Sequence, residues 1–483
     1  MIKKLGLSFV WSFTNTFVDK GISFITMLLI ARVIGPESFG LIGSIAIFIG
    51  IGTLLTNSGL SSSLIRTPKA NQSDFSTVFI LNILISSIIY IVIYFFAPII
   101  ADFYDNTKLE KIIRIYCLIF LIIASSSVQL AILTKKMEFK KITLVSVPST
   151  LFAAFISLTL AFYQYGVWSL VWFHLSREIL KSIFLWVSTV WTPKLLFSNI
   201  KFKYHFSFGY KLVLSGLIDV FFKNIYNIII GKQFTFQELG FFERSRQLSE
   251  YPSSSLTGII SKVTYPMFSE IQNDIEKLTK IYVKLIQLSF FIIAPIMLGA
   301  AAVAKPLFLL VLGDEWSPAI LYFQILSLAM MFYPLHAMNL NILKVFGRSD
   351  LFLKVEIYKK IIVVISIICF FNFGIIGLIW SNVFTSITSL FVNIYFSNKL
   401  ITYSIYNQFK DLSSILLLAL ITAFLMNLFS NFLHNNSYII QIILPVLLGL
   451  LMYFSINLLL KKSPIHNFRT IITQILKKND TSN

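Results

Sequence analysis

Apolar residues run through the chain in long blocks separated by short polar segments. Fourteen blocks reach membrane-spanning length: roughly 7–32, 38–62, 75–99, 112–133, 142–163, 166–190, 208–230, 236–261, 285–304, 317–343, 355–371, 373–397, 412–432 and 437–460. A helix needs about 20 mostly apolar residues to cross a hydrocarbon core about 30 Å thick. Backbone groups inside lipid must bond to one another, so each block predicts a helix. The expected fold is an all-α polytopic membrane protein of about 14 transmembrane helices. Pro252 and Pro334 fall inside blocks and predict kinks. After the last block, Ile465, Phe468, Ile471, Ile472, Ile475 and Leu476 recur at helical spacing ahead of Lys477 and Lys478. That pattern predicts an amphipathic tail helix on the inner leaflet.

The blocks repeat. Shifted by 200 residues, IARVIGPESFG (30–40) falls on IGKQFTFQELG (230–240), and Asp19 falls on Asp219. Shifted by 208, YQYGVWSLVW (163–172) falls on FNFGIIGLIW (371–380), with Gly166/Gly374, Leu170/Leu378 and Trp172/Trp380 identical. Six crossings per copy bring both copies into the membrane from the same side. The expectation is two parallel six-helix bundles related by a pseudo-two-fold axis along the membrane normal, plus two C-terminal helices. The domain boundaries follow: a first bundle over 1–190, a cytoplasmic linker over 191–207, a second bundle over 208–397, helices 13 and 14 over 398–460, and the cytoplasmic tail over 461–483.

Composition agrees and adds an orientation. The chain is 57% hydrophobic and only 13% charged, with a formal net charge of +19. The excess positive charge sits in short loops, with no basic domain to suggest nucleic acid. With the N-terminus inside, the inner segments carry 27 Lys and Arg and the outer loops six. The positive-inside bias therefore places both termini in the cytoplasm. The N-terminal block is too long for a signal peptide and contains Asp19 and Lys20, so it reads as an uncleaved first span. Cys117 and Cys369 both lie within blocks and read as small apolar residues, neither a disulfide nor a metal pair.

Seven basic residues remain inside the spans: Lys20, Arg177, Lys181, Lys211, Lys223, Arg244 and Arg246. Five acids join them: Asp19, Glu178, Asp219, Glu243 and Glu250. A charge at the bilayer centre costs at least about 2.5 kcal/mol, so these side chains face protein or water. His174, Arg177, Glu178 and Lys181 share one helix face, as do Lys211, Ser215, Asp219 and Lys223. One reading is a shared aqueous lumen between the bundles. The other is mutual neutralisation at helix contacts, with Glu178 paired to Arg177 or Lys181 and Asp219 to Lys223. His174 and His336 read as packed polar residues.

No Walker-type phosphate loop, nucleophile–base pair or metal-ligand cluster is present, so the chain reads as neither an enzyme nor a holder of a cofactor or metal. The outer loops are too short for the catalytic groups of a membrane glycosyltransferase or polymerase.

The segments ARVIGPESFGLI (31–42), NSGLSSSLI (57–65), DFSTVFILN (74–82), YGVWSLV (165–171), LGFFERSRQL (239–248) and YPLHAMNLNILKVFGRSDLFLKVEI (333–357) carry a resemblance. In their order and spacing the chain resembles the Wzx-type polysaccharide exporters, lipid-linked oligosaccharide flippases of the multidrug/oligosaccharidyl-lipid/polysaccharide exporter superfamily. It looks closest to the branch of colanic-acid and teichuronic-acid exporters. The resemblance implies a plasma-membrane flippase that carries an undecaprenyl-pyrophosphate-linked oligosaccharide outward by alternating access, alongside glycosyltransferases and a polymerase. It also implies a cationic lumen. Arg244, Arg246, Lys223, Arg177, Lys181 and Lys20 become the candidate headgroup ligands; Asp19, Asp219, Glu178, Glu243 and Glu250 become the candidate coupling-ion carriers. Arg244 matches a position where this branch usually has a basic residue, whereas Arg246, Lys223 and Asp219 depart from its neutral polar pattern. The alternative within the superfamily is an ion-coupled small-molecule antiporter.

Overall fold

The computed structural model describes residues 2–57 and 59–459, apart from the side chains of 2–9, 57, 208, 209, 211, 212 and 215; the expected tail helix over 461–483 lies outside them. The described residues form α-helices joined by short turns, with no strand among them. Helix covers most of each expected apolar block among the described residues, with breaks, as inside the blocks over 38–62, 112–133 and 317–343. Nine helical stretches among the described residues are long and apolar enough to cross a membrane. Their outward faces carry large apolar side chains, such as Phe95 at 71% exposure and Phe155 at 72%. In water such faces would drive aggregation; against lipid they are the solvated surface. The chain is a multi-pass membrane protein.

The fold divides into two compact units, Met1–Gly240 and Phe241–Asn483. The first holds α1 (Ile2–Asn57), α2 (Leu60–Arg66), α3 (Gln72–Phe103), α4 (Lys108–Tyr116), α5 (Ile119–Lys135), α6 (Phe139–Phe162), α7 (Val167–Ser188) and α8 (Asn199–Gln233). At 1.5 Å per residue, the 56 residues of α1 are far too long for one crossing. Gly35 leaves helical geometry (φ 70, ψ 174) just before Pro36 and breaks the run where the sequence separates its first two blocks. The core of this unit gathers Leu41 and Ile45 of α1, Ala97 of α3, Ile113 of α4, Phe120 of α5 and Leu175 of α7.

The two segments that align at a shift of 200 meet inside this unit. A Cβ on Gly40 would lie 1.7 Å from the Phe236 carbonyl oxygen, and one on Gly240 would lie 1.9 Å from the Pro36 carbonyl oxygen. Pro36 aligns with Phe236 and Gly40 with Gly240, so the contact is reciprocal under the sequence shift. Only residues without side chains allow backbones this close.

The second unit takes most of α9 (Phe236–Glu270), then α10 (Ile275–Ala302), α11 (Ala304–Val311), α12 (Ser317–Met330), α13 (Tyr333–Val345), α14 (Ser349–Phe371), α15 (Gly374–Ser397), α16 (Ile405–Phe432) and α17 (Tyr438–Leu459). Tyr282 and Phe290 of α10, Leu335 and Met338 of α13, Ile394 of α15, Leu412 of α16 and Tyr453 of α17 form its core. The block expected over 317–343 is two helices. Met331 and Phe332 separate them, and Pro334 sits in the first turn of α13, where its missing N–H costs nothing. Pro252, by contrast, lies inside α9.

The second repeat match also has a structural counterpart. Gly166 and Gly374 stand at the starts of α7 and α15 with φ of 54 and 68. Six residues on, Trp172 and Trp380 are 40% and 42% exposed, while Leu170 and Leu378 are buried.

Candidate functional site

Helices α1, α6 and α7 bring the first charged group together. Arg177 on α7 donates through Nη2 to Asp19 Oδ2 on α1 at 2.6 Å. The other Asp19 oxygen accepts a short hydrogen bond from Thr150 Oγ1 on α6. The carboxylate thus ties three helices to one point, and both members of the pair are half-buried. One turn along α7, Lys181 Nζ lies 3.3 Å from Glu178. Of the two partners open to Glu178 in the sequence, the structure selects Lys181, because Arg177 turns to Asp19. His174, on the same helix face, stacks against Tyr116 with ring centroids 5.6 Å apart. Lys20 of α1 and Asp219 and Lys223 of α8 are exposed. The side chains of Lys211 and Ser215 lie outside the described residues.

In the second unit α9 supplies a group of its own. Arg246 Nη2 pairs with Glu243 Oε1 at 2.6 Å, and its guanidinium lies 5.9 Å from the Phe242 ring centroid. Arg244 donates through Nη1 to Gln247 Oε1 at 3.1 Å, and Gln247 Nε2 reaches Glu243 Oε2 at 3.4 Å. Arg244 is only 3% exposed. Glu250, one turn further, is half-buried. The spacing of this group is set by α9 itself. Ser245 and Ser253 donate to the carbonyls of Ala319 and Met330, which fastens α9 along α12.

A guanidinium carries five N–H donors and no acceptor, so it can donate to a phosphate or carboxylate oxygen as well as to the carboxylate beside it. His336 takes no part in these groups. It bonds Ser386 at 3.2 Å and Asn393 at 2.8 Å within the packing of α13 on α15, as a packed polar residue.

The structure adds a cluster that sequence reasoning did not find. Asp74, Ser63, His205 and Lys201 come from α3, α2 and α8. Ser63 Oγ lies 2.7 Å from His205 Nδ1, His205 Nε2 lies 3.2 Å from Asp74 Oδ1, and Lys201 Nζ lies 3.0 Å from the same oxygen. A carboxylate only accepts, so Nε2–H donates to Asp74 and the neutral ring accepts from Ser63 at Nδ1. Asp74 also closes a reciprocal cap with Asn71 at the start of α3. The order Ser–His–Asp is that of a hydrolytic triad, yet Asp74 and His205 are fully buried and Ser63 nearly so. The hydrogen bonds and ion pair of the cluster fasten α8 to α2 and α3. Asn71 followed three residues later by Asp74 was a legible capping signal; nothing in sequence placed His205 beside it.

Among the described residues, no group of three or more His, Cys, Asp or Glu is placed to hold a metal ion.

A family model described as "Polysaccharide biosynthesis protein" matches residues 29–321. The chain is 22% identical over 360 residues to the lipopolysaccharide biosynthesis protein WzxC of Escherichia coli (strain K12), a match that covers 74% of this chain and 73% of that protein. It is 23% identical to the succinoglycan biosynthesis transport protein ExoT of Rhizobium meliloti (strain 1021), over 64% of this chain and 62% of the relative. The matched regions thus span from somewhat under to somewhat over two thirds of these relatives. Among solved structures, the lipid II flippase MurJ in its inward closed conformation superposes with a TM-score of 0.76 at 15% identity, covering 92% of this chain and 97% of that one. At that identity the likeness establishes the fold.

Proposed function

Because the chain belongs to the polysaccharide biosynthesis protein family, we propose that it flips a lipid-linked oligosaccharide from the cytoplasmic to the outer face of the plasma membrane by alternating access, for the assembly of a cell-surface polysaccharide. The observation that carries this reading is the placing of ionised side chains inside the apolar helices of both units: Asp19 with Arg177, Glu178 with Lys181, and Glu243 with Arg246 beside Arg244. A neutral or hydrophobic cargo would not need them, whereas a diphosphate headgroup cannot cross hydrocarbon unaided. Guanidinium groups match its oxygens two at a time. The polyprenyl tail stays in lipid while the head moves through a wet lumen.

In this reading the chain crosses the membrane 14 times as two six-helix repeats, over 1–190 and 208–397, with a linker over 191–207. An added pair over 398–460 and a tail over 461–483 follow, and both termini are cytoplasmic. Arg244, Arg246, Arg177 and Lys181 meet the headgroup, with Lys20 and Lys223 at the lumen's exposed edges. Asp19, Asp219, Glu178, Glu243 and Glu250 are the carboxylates through which an ion gradient drives the cycle. Glycosyltransferases supply the cargo and a polymerase consumes it.

Deleting the gene in its host and analysing membrane lipids tests the reading. Lipid-linked repeat units should accumulate on the inner face while surface polymer falls. Unchanged surface polymer, with no second exporter present, would contradict it.

A further inference from the structure

The six basic residues of the expected outer loops are unevenly placed: Lys108, Lys111 and Arg114 all fall on the nine residues of α4. Cations on that side run against the positive-inside bias, so their concentration calls for a cause. Leu109, Ile112, Ile113 and Tyr116 bury one face of α4 in the core of the first unit. The opposite face borders a cavity of about 520 Å³ lined by Tyr90, Tyr94, Thr107, Glu110, Lys111 and Arg114.

The cavity is organised around Arg114. Its guanidinium lies 4.4 Å from the Tyr94 ring centroid, its Nε donates to the Tyr94 carbonyl at 3.4 Å, and its Nη1 pairs with Glu110 at 2.5 Å. Three contacts hold the fork in place, so little conformational freedom is lost when it binds an anion. Lys111 is exposed, with Nζ 5.9 Å from the Trp168 ring centroid. On α4 three cations face one carboxylate, which leaves an uncompensated positive charge. Tyr90, Tyr94 and Trp168 lie beside these cations, and tyrosine and tryptophan are enriched in the headgroup zone of a bilayer.

We propose that this cavity seats the phosphate of an anionic membrane-lipid headgroup, with Lys111 and Arg114 as its ligands. A sugar ring fits less well. Sugars dock on open aromatic faces, and Arg114 covers one face of Tyr94; a neutral ring would also leave the excess charge unanswered. The inference does not depend on the transport reading, because any lipid phosphate at this level satisfies it.

Native mass spectrometry of the purified full-length protein, titrated with phosphatidylglycerol, tests the seat. Diacylglycerol, inorganic phosphate and a lipid-free oligosaccharide serve as separate competitors. A basic residue near a lipid surface contributes about fivefold in binding, so Lys111→Gln and Arg114→Gln should each weaken phosphatidylglycerol binding about fivefold, and together about thirtyfold. Lys305→Gln, which removes another expected outer cation, should leave binding unchanged. Glu110→Gln should tighten binding by up to about fivefold, an effect that a purely structural Arg114 would not produce and that needs no disruptive substitution. None of the three competitors should displace the lipid. Lipid binding by the double variant within twofold of the native protein would overturn the proposal, as would weakened binding by Glu110→Gln. Displacement by the oligosaccharide would mark the cavity as a sugar site, and displacement by inorganic phosphate at equal concentration would mark it as a free-anion site.

Discussion

Gly40 and Gly240 answer each other across a backbone contact: each has the carbonyl of the residue four positions before the other where its own side chain would be. The same 200-residue shift that aligns them in sequence relates the two halves of the contact. Adding a methyl group to either must push two backbones apart. Overpacking of this kind costs about 1–3 kcal/mol where side chains can adjust, and more where backbone is struck. Gly40→Ala and Gly240→Ala should therefore each lower the thermal midpoint in detergent by several degrees or abolish the folded protein. Gly21→Ala and Gly258→Ala, whose new Cβ would meet nothing within 4 Å, should not. Equal midpoints for all four would contradict the contact.

The Asp19–Arg177 pair predicts a non-additive cycle. Arg177→Ala leaves a carboxylate among three apolar helices, with only Thr150 to answer it. Removing one partner of a fully buried pair costs about 3–5 kcal/mol, and partial exposure here brings the expectation to about 2 kcal/mol. Asp19→Ala combined with Arg177→Ala should recover much of that loss, because the orphaned charge is gone. Thermal unfolding of the two singles and the double checks this. Strictly additive losses would mean that the pair carries no coupling.

Arg244 should separate transport from folding. Glutamine keeps an amide N–H donor where Nη1 donates to Gln247 Oε1 and removes only the charge, so Arg244→Gln should leave protein abundance near normal while lowering surface polymer at least tenfold. Arg244→Lys should restore only part of it, since an ammonium cannot present a planar fork. Quantifying polymer and membrane protein in the same cells decides the matter. Full polymer output from Arg244→Gln would remove the residue from the site.

The Ser63–His205–Asp74 fastener predicts acid sensitivity. His205 lies in the part of α8 ahead of its expected span. Burial holds its imidazole below the usual value of 6.5, and Lys201 adds to this, while the bond to Asp74 pulls the other way. The unfolded chain therefore takes up a proton near pH 6.5 that the folded chain resists. By linkage, stability is intact above that pH and declines as the pH falls toward the folded-state value. Thermal midpoints from pH 8 to pH 5 should fall more steeply for the native protein than for His205→Gln. Parallel curves would show that His205 does not contribute.

Much of the fold was legible because lipid imposes a simple rule: a run of about 20 apolar residues has few options besides helix. The short breaks were less legible. Nothing in the apolar pattern separates α12 from α13; Pro334, in the first turn of α13, is the sequence signal for the break at Met331–Phe332. Within a helix, spacing narrowed the partners of a charge, as Glu178–Lys181 shows. Between helices it did not. Asp19 and Arg177 are 158 residues apart, and Asp74 and His205 are 131 apart. Only tertiary packing decides which carboxylate meets which cation. The exposure of Lys20, Asp219 and Lys223 was equally hidden, because a helical stripe in sequence does not say what lies opposite it.

The most direct measurement is reconstitution of the purified protein into liposomes carrying a polyprenyl-diphosphate-linked oligosaccharide, followed by the rate at which the glycan becomes accessible to an external glycosidase or lectin. The account predicts that vesicles with the native protein expose the inner-leaflet glycan far faster than protein-free vesicles, and that Arg244→Gln slows this at least tenfold. Equal rates with and without the native protein, across imposed proton and sodium gradients, would contradict it.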